Sequence, residues 1–312
     1  MKRKIVKHGS ATLTISLPSK WAKKYGIKPG DSLDIEEAEG ALLIKCPTFR
    51  ESVKEAYIDL SEFNKIGKRS LRALFKGGCD TIRIKYNQPE TFSKIILPTL
   101  NQFIGFEIMK QDTGSCLVKE ISGLTENTEL DGLIRRMLHI LKCLASDCAQ
   151  AAKSNHTELL KDIAQRDVNV NRAANFIRRL LNKRGTTRIR ELPVVYYTVE
   201  QLENLGDEYK HLCRYILEME YNTVSDDVVH LLDEASKAIG EFSTLYFKFS
   251  VKIAHDLSMW HNAMQKKIKS LNPKAIEEVI IINHLANMVR LVNNLLGPLL
   301  TLRLPDLCIQ DV

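Results

Sequence analysis

The sequence predicts a multi-domain chain in three parts: a small β domain over residues 1–47, a small α/β connector over 50–122, and an all-α body of six long helices over 127–304. Three observations carry this. At 312 residues the chain exceeds one ordinary domain. Strand-period alternation dominates its first third and then gives way to helical spacing. Charge is also segregated: the chain has 45 Lys and Arg against 38 Asp and Glu, a net +7. Residues 1–28 alone hold Lys2, Arg3, Lys4, Lys7, Lys20, Lys23, Lys24 and Lys28 with no acid before Asp31, so the rest of the chain sums to about −1.

Composition excludes several classes. With 44% hydrophobic and 27% charged residues, wholesale disorder is excluded. Seven cysteines, an odd number without a C-x-x-C pair, argue against a disulfide scaffold or zinc knuckle and fit a reducing, cytoplasmic setting. The start MKRKIVKHGSATL lacks the apolar core of an export signal. The most apolar run, Ile276 to Leu300, is broken by Glu277, Glu278, Asn283, His284, Arg290, Asn293 and Asn294, so no membrane insertion is expected.

In the first part, Leu13, Ile15 and Leu17 alternate with Thr12, Thr14 and Ser16, the period of a half-buried strand. Pro18 suits the first turn of a short helix, whose Trp21, Ala22 and Tyr25 share a face, and Gly26 suits its end. Lys28-Pro29-Gly30-Asp31 reads as a type II turn, and Leu33–Ile35 and Leu42–Ile44 as two strands about a hairpin turn at Glu39-Gly40. The connector reads βαβαββ: Ala56–Leu60, a helix from Glu62 to Lys76 stopping at Gly77-Gly78, Ile82–Tyr86, a helix opened by Pro89, and two strands flanking Asp112-Thr113-Gly114. Phe75, Phe92, Phe103 and Phe106 are expected in its core. It carries no glycine-rich phosphate loop.

After a linker at Ser122–Asn127, helical stripes run through Leu130–Cys148, Ile163–Leu181 and Val199–Ile216. Three further helices follow near Asp226–Phe247, Val251–Leu271 and Pro273–Leu302, giving two sets of three. Asp167 takes a core position in its stripe, with Asn171 one turn on, and Glu203 and Asp207 share a face at i and i+4. Such carboxylates suit either a hydrogen-bonded polar layer or a hard cation held weakly, divalent or ferric. Arg178, Arg179, Lys183, Arg184, Arg188 and Arg190 cluster at a helix end, where cations suit the helix dipole or an acidic partner. No nucleophile elbow, His-Glu-x-x-His or acid–base pair emerges, so an enzyme is not expected.

Two resemblances add to these readings. Arg3-x-x-x-Lys7-x-Gly9-Ser10-Ala11-x-Leu13-Thr14-Ile15-x-Leu17-Pro18-x-Lys20, with Gly26-Ile27-Lys28-x-Gly30-Asp31-Ser32-Leu33, resembles the AbrB/SpoVT family of swapped-hairpin DNA-binding domains. The resemblance implies a homodimer whose chains interleave and which contacts double-stranded DNA through Arg3, Lys4, Lys7, His8 and Ser10, with Lys20, Lys23 and Lys24 as supporting phosphate contacts. Arg166-Asp167-x-x-x-Asn171-Arg172, followed by Phe176-Ile177-Arg178-Arg179-Leu180, and Glu203-x-x-x-Asp207 resemble the motifs of the PhoU family. That resemblance implies a six-helix body of two three-helix bundles, metal held by Asp167, Glu203 and Asp207, and a phosphate-signalling protein partner. Asn171 stands where the motif has Asp; in the second repeat Asp256 is followed four on by Trp260, and Val279 with Asn283 replaces the Glu/Asp pair. The combined layout resembles archaeal phosphate-uptake regulators of the PhoU family. The expected function is a DNA-binding transcriptional regulator of phosphate uptake or phosphate-responsive genes; the alternative is a PhoU-type adaptor on a phosphate transporter or signalling partner, with the N-terminal domain serving only dimerisation.

Overall fold

The computed structural model describes residues 2–9, 11–38, 41–46, 54–62, 66–121, 130–184, 191–219 and 224–303. The chain divides into two compact units, residues 1–53 and 54–312. The expected contact Ser10, the turn at Glu39-Gly40, the linker at 122–127, and Arg188 and Arg190 lie outside the described residues.

The first unit has the expected order of elements. Strand β1 (Ile5–His8) pairs antiparallel with β2 (Thr12–Ile15), Ile5 opposite Ile15 and His8 opposite Thr12. Helix α1 (Ser19–Lys24) follows Pro18, and Gly26 leaves it with φ +65°, a conformation glycine adopts without steric cost. Strands β3 (Asp34–Ala38) and β4 (Ala41–Lys45) form a second antiparallel pair. These are two separate two-stranded sheets, and no described side chain of this unit is buried.

The second unit begins with a four-stranded sheet of order β5-β6-β8-β7. Strands β5 (Glu55–Asp59) and β6 (Thr81–Lys85) are parallel, joined through α2 (Gly67–Lys76). Strand β8 (Ser115–Glu120) pairs antiparallel with β6 and with β7 (Phe106–Asp112), which is bulged between Ile108 and Lys110. Between β6 and β7 lie α3 (Pro89–Thr91), a π-helical turn at Phe92–Ile96, and α4 (Leu97–Leu100). Period-two alternation sends Ile82, Ile84, Cys116 and Val118 inward and leaves Arg83 and Lys85 exposed. The expected aromatic core forms: Phe75 stacks on Phe103 with centroids 4.3 Å apart, and the Phe106 ring meets Phe75 edge-on at 5.1 Å. The α2 helix starts at Gly67 rather than Glu62.

The body follows as α5 (Leu130–Ser154), α6 (Thr157–Arg184) and α7 (Leu192–Glu218), then α8 (Asp226–Phe247), α9 (Val251–Ser270), α10 (Ile276–Asn294) and α11 (Leu296–Leu302). Leu141, Val170, Ile177, Leu202, Tyr209, Leu232, Ile239, Met264 and Leu285 share one continuous core. The stretch Ile276–Leu302 is long and apolar enough to cross a membrane by length and composition, but Ile281, Leu285, Met288 and Val292 are buried within the bundle. Helix α6 is the hinge of the architecture. Val170, Ala174 and Ile177 face the helical core, whereas Phe176 and Leu180 enter the core of the α/β layer.

Candidate functional site

Arg3, Lys4, Lys7, His8, Lys20, Lys23, Lys24 and Lys28 of the first unit are all exposed. Arg3 and Lys4 lead into β1, and Lys7 and His8 belong to it. Lys20, Lys23 and Lys24 fall at i, i+3 and i+4 on α1, away from half-buried Trp21, Ala22 and Tyr25. The Trp21 and Tyr25 rings meet edge-on at 5.6 Å, and Lys24 Nζ lies 5.2 Å from the Tyr25 ring centre. Beside these cations stands exposed apolar surface: Ile5, Leu13, Ile15, Ile35 and Leu42 are each at least half exposed, Leu13 at 69%. Alternation written for a half-buried sheet here has nothing within the described chain to bury it.

A second constellation joins the α/β layer to α6. Arg179 is fully buried, and one of its terminal nitrogens donates to the carbonyls of Phe75 at 2.9 Å and Cys79 at 2.7 Å. The other donates to Asp80 Oδ1 at 2.6 Å and Glu120 Oε2 at 2.8 Å. Its guanidinium lies 4.8 Å from the Phe106 ring centre and 5.2 Å from that of Phe75. Lys183, one turn on, donates to Asp80 at 2.7 Å and Glu120 at 3.3 Å, and Asn182 caps the Lys76 carbonyl at 2.8 Å. Arg179 and Lys183 thus find acidic partners within the chain, and Arg179 also caps the carboxyl end of α2. Burial works to raise the Asp80 carboxyl, but hydrogen bonds from Lys183 and the Lys54 backbone outweigh it and hold the group below its usual range. Gly78 sits at φ +88°, and a Cβ there would come within 2.8 Å of Lys183 Cγ.

The candidate metal set follows a different course. Asp167 is buried, as its stripe position predicts, and Asn171 Nδ2 donates to its Oδ2 at 2.7 Å. Lys210 Nζ reaches the same oxygen at 2.9 Å and also contacts Asp207 Oδ1. Glu203 turns to Arg178, at 2.5 Å, and that fully buried guanidinium also binds Glu200 at 2.8 Å. The structure thus divides Asp167, Glu203 and Asp207 between two internal cations rather than converging them on one point. The remaining oxygen, Asp167 Oδ1, packs where a Cβ on Gly206 would lie, 3.1 Å away, so this glycine lets α6 and α7 approach closely. Among the described residues no three His, Cys, Asp or Glu side chains come together as a metal-holding group. The donor set does not fit a metal ion. In the second repeat Asp256 is exposed, and Trp260 is half-buried against the core.

Asp167, Asn171, Glu203, Asp207 and Lys210 line a polar cleft of about 440 Å³ between the α/β layer and helices α6 and α7, together with Arg72, Gln102, His211 and Arg214. Lys210 and the partners of Arg179 were not legible from spacing alone. Asp80 and Glu120 lie 99 and 59 residues before the arginine they hold. The available signal was two adjacent arginines inside an otherwise apolar helical stripe.

Comparison with known proteins fits this division. Residues 6–48 match a family model described as antidote-toxin recognition MazE, bacterial antitoxin. No curated protein sequence matches the chain. Among solved structures the chain is similar to PhoU from Pseudomonas aeruginosa, at 16% identity and a TM-score of 0.50 over 56% of this chain and 96% of that one. It is also similar to the phosphate transport system regulatory protein PhoU from Streptococcus pneumoniae, at 17% identity and a TM-score of 0.46 over 59% of this chain and 96% of that one. The class is therefore a multi-domain protein with a small N-terminal β domain of MazE/AbrB type and a large helical body. The body has the PhoU fold.

Proposed function

We propose that the chain is a homodimeric, DNA-binding transcriptional regulator whose PhoU-fold body couples phosphate status, through an effector or protein partner, to the first unit. The observation that carries this reading is the first unit itself. It combines an acid-free basic segment with apolar strands that have no cover among the described residues. A second copy supplies that cover, since burying each such side chain is worth about 1.5–3 kcal/mol. The paired basic segments then present one doubled positive field, which draws duplex DNA through counterion release. Arg3, Lys4, Lys7 and His8 are the proposed groove and backbone contacts, together with Ser10, and Lys20, Lys23 and Lys24 the supporting phosphate contacts. Both matched families support regulation rather than catalysis.

The test is a genome-wide map of the sites this protein occupies in cells grown in high and low phosphate. Discrete sites upstream of genes, with occupancy that changes with phosphate, are expected. Absence of discrete sites under both conditions would reject the reading and favour an adaptor that only dimerises through its first unit.

A further inference from the structure

The acidic site between α6 and α7 has the chemistry of a cation site, yet its geometry is closed around an amine. We infer that Lys210 is the built-in cation of this site, and that its ammonium makes the helical body independent of divalent metal. The argument starts from charge. Asp167 and Asp207 come from two packed helices, and two carboxylates taken partly out of water need a counter-charge at short range. Lys210 Nζ lies 2.9 Å from Asp167 Oδ2 and also contacts Asp207 Oδ1, bridging the two helices as a bound ion would. Its side chain is 14% exposed, so the charge is shielded and its reach is fixed.

Asp167 Oδ2 already accepts from Asn171 as well as Lys210, whereas its Oδ1, packed against Gly206, has no hydrogen-bond partner among the described residues but is closed off from solvent. The third carboxylate, Glu203, is occupied by Arg178. A divalent ion would have to displace Lys210 and pull Glu203 off a buried guanidinium, leaving that charge without its closest partner. Arg72, His211 and Arg214 line the same cleft. Burial would depress the lysine, but hydrogen bonds to Asp207 and Asp167 outweigh it, so the amine is held above its usual range and protonated at neutral pH.

The test uses the full chain. Wild-type protein purified without chelator should hold far less than 0.1 equivalent of divalent or ferric metal by elemental analysis. Its melting temperature should be the same in EDTA as in 1 mM MnCl2. Lys210→Met leaves two carboxylates facing each other with no cation. This variant should melt lower in EDTA, recover in MnCl2, and bind Mn2+ in equilibrium dialysis at least tenfold more tightly than wild type. Adding Asp167→Asn to it should abolish the gain. Should Lys210→Met fail to fold, Lys210→Gln carries the same comparison, and Lys210→Arg should behave as wild type. Near-stoichiometric metal in the wild-type chain would overturn the inference. So would a folded Lys210→Met or Lys210→Gln variant that is as indifferent to Mn2+ as wild type.

Discussion

Replacing Arg179 with methionine isolates the contact that fixes the α/β layer to the helical body. Methionine keeps much of the length and apolar bulk beside Phe75 and Phe106 but removes the charge and four hydrogen bonds. The Cys79 carbonyl loses the guanidinium donor, the Phe75 carbonyl keeps only the Gly78 N–H among the described residues, and Asp80 and Glu120 keep Lys183 as their remaining cation, with the Lys54 backbone N–H still on Asp80. Removing one partner of a buried ion pair costs about 3–5 kcal/mol, because the other is left uncompensated. Lys183 softens this, so about 3 kcal/mol is the expected loss. Set against a typical total of about 5–15 kcal/mol, this is a large fraction. At about 2–4 °C per kcal/mol for a unit of this size, the melting point should fall by roughly 6–12 °C. Scanning calorimetry of the full chain reads this directly, and hydrogen exchange should show the loss centred on α2, β6 and β8. The exposed pair Lys94–Glu90 serves as control, since such pairs contribute little, and Lys94→Ala should melt like wild type. A shift below 2 °C for Arg179→Met would refute the claim that this guanidinium holds the two layers together.

Three further outcomes are expected. Gly78→Ala forces a Cβ into a left-handed position, costing about 1–2 kcal/mol from backbone conformation, and its clash with Lys183 Cγ adds to this; urea denaturation should show it. Because the Asp80 carboxyl is held below its usual value of 3.8 in the folded state, its contribution is complete above that pH and lost as pH falls through the lower folded value; Asp80→Asn should lower stability at neutral pH and flatten that acid limb. Leu13→Asp places a charge in the apolar strand face, and sedimentation equilibrium should show the full chain shifted from dimer to monomer at micromolar concentration.

What could be read from residues alone was set by range. The elements of the first unit depend on neighbours a few positions apart: Pro18 before α1, Gly26 after it, alternation at Leu13 and Ile15. Leu13 and Ile15 do lie in a strand, although both are exposed rather than half-buried, and the helix and its ends formed as patterned. The same holds for the stripes of α5, α6 and α7 and for buried Asp167. The α6 contacts with the α/β layer were not legible, because Phe176 and Leu180 interrupt no helical pattern and their partners are remote in sequence. The cations near the end of α6 were visible as a cluster. Their role was not, since a helix-dipole reading and a buried clamp place the same residue types at the same positions. Glu203 and Asp207 did share a helix face, but spacing gives no sign that Lys210, three residues after Asp207, bends back to occupy the site.

The central claim, that the first unit binds duplex DNA, is tested most directly by titrating a random-sequence 30-base-pair duplex with wild-type chain and an Arg3→Ala/Lys4→Ala/Lys7→Ala variant across a salt series. Each phosphate contact contributes about one unit to the slope of log affinity against log salt. The account predicts salt-dependent binding by wild type, with weaker binding and a slope shallower by about two to three units in the variant. Equal affinity and equal slope for the two proteins would contradict it.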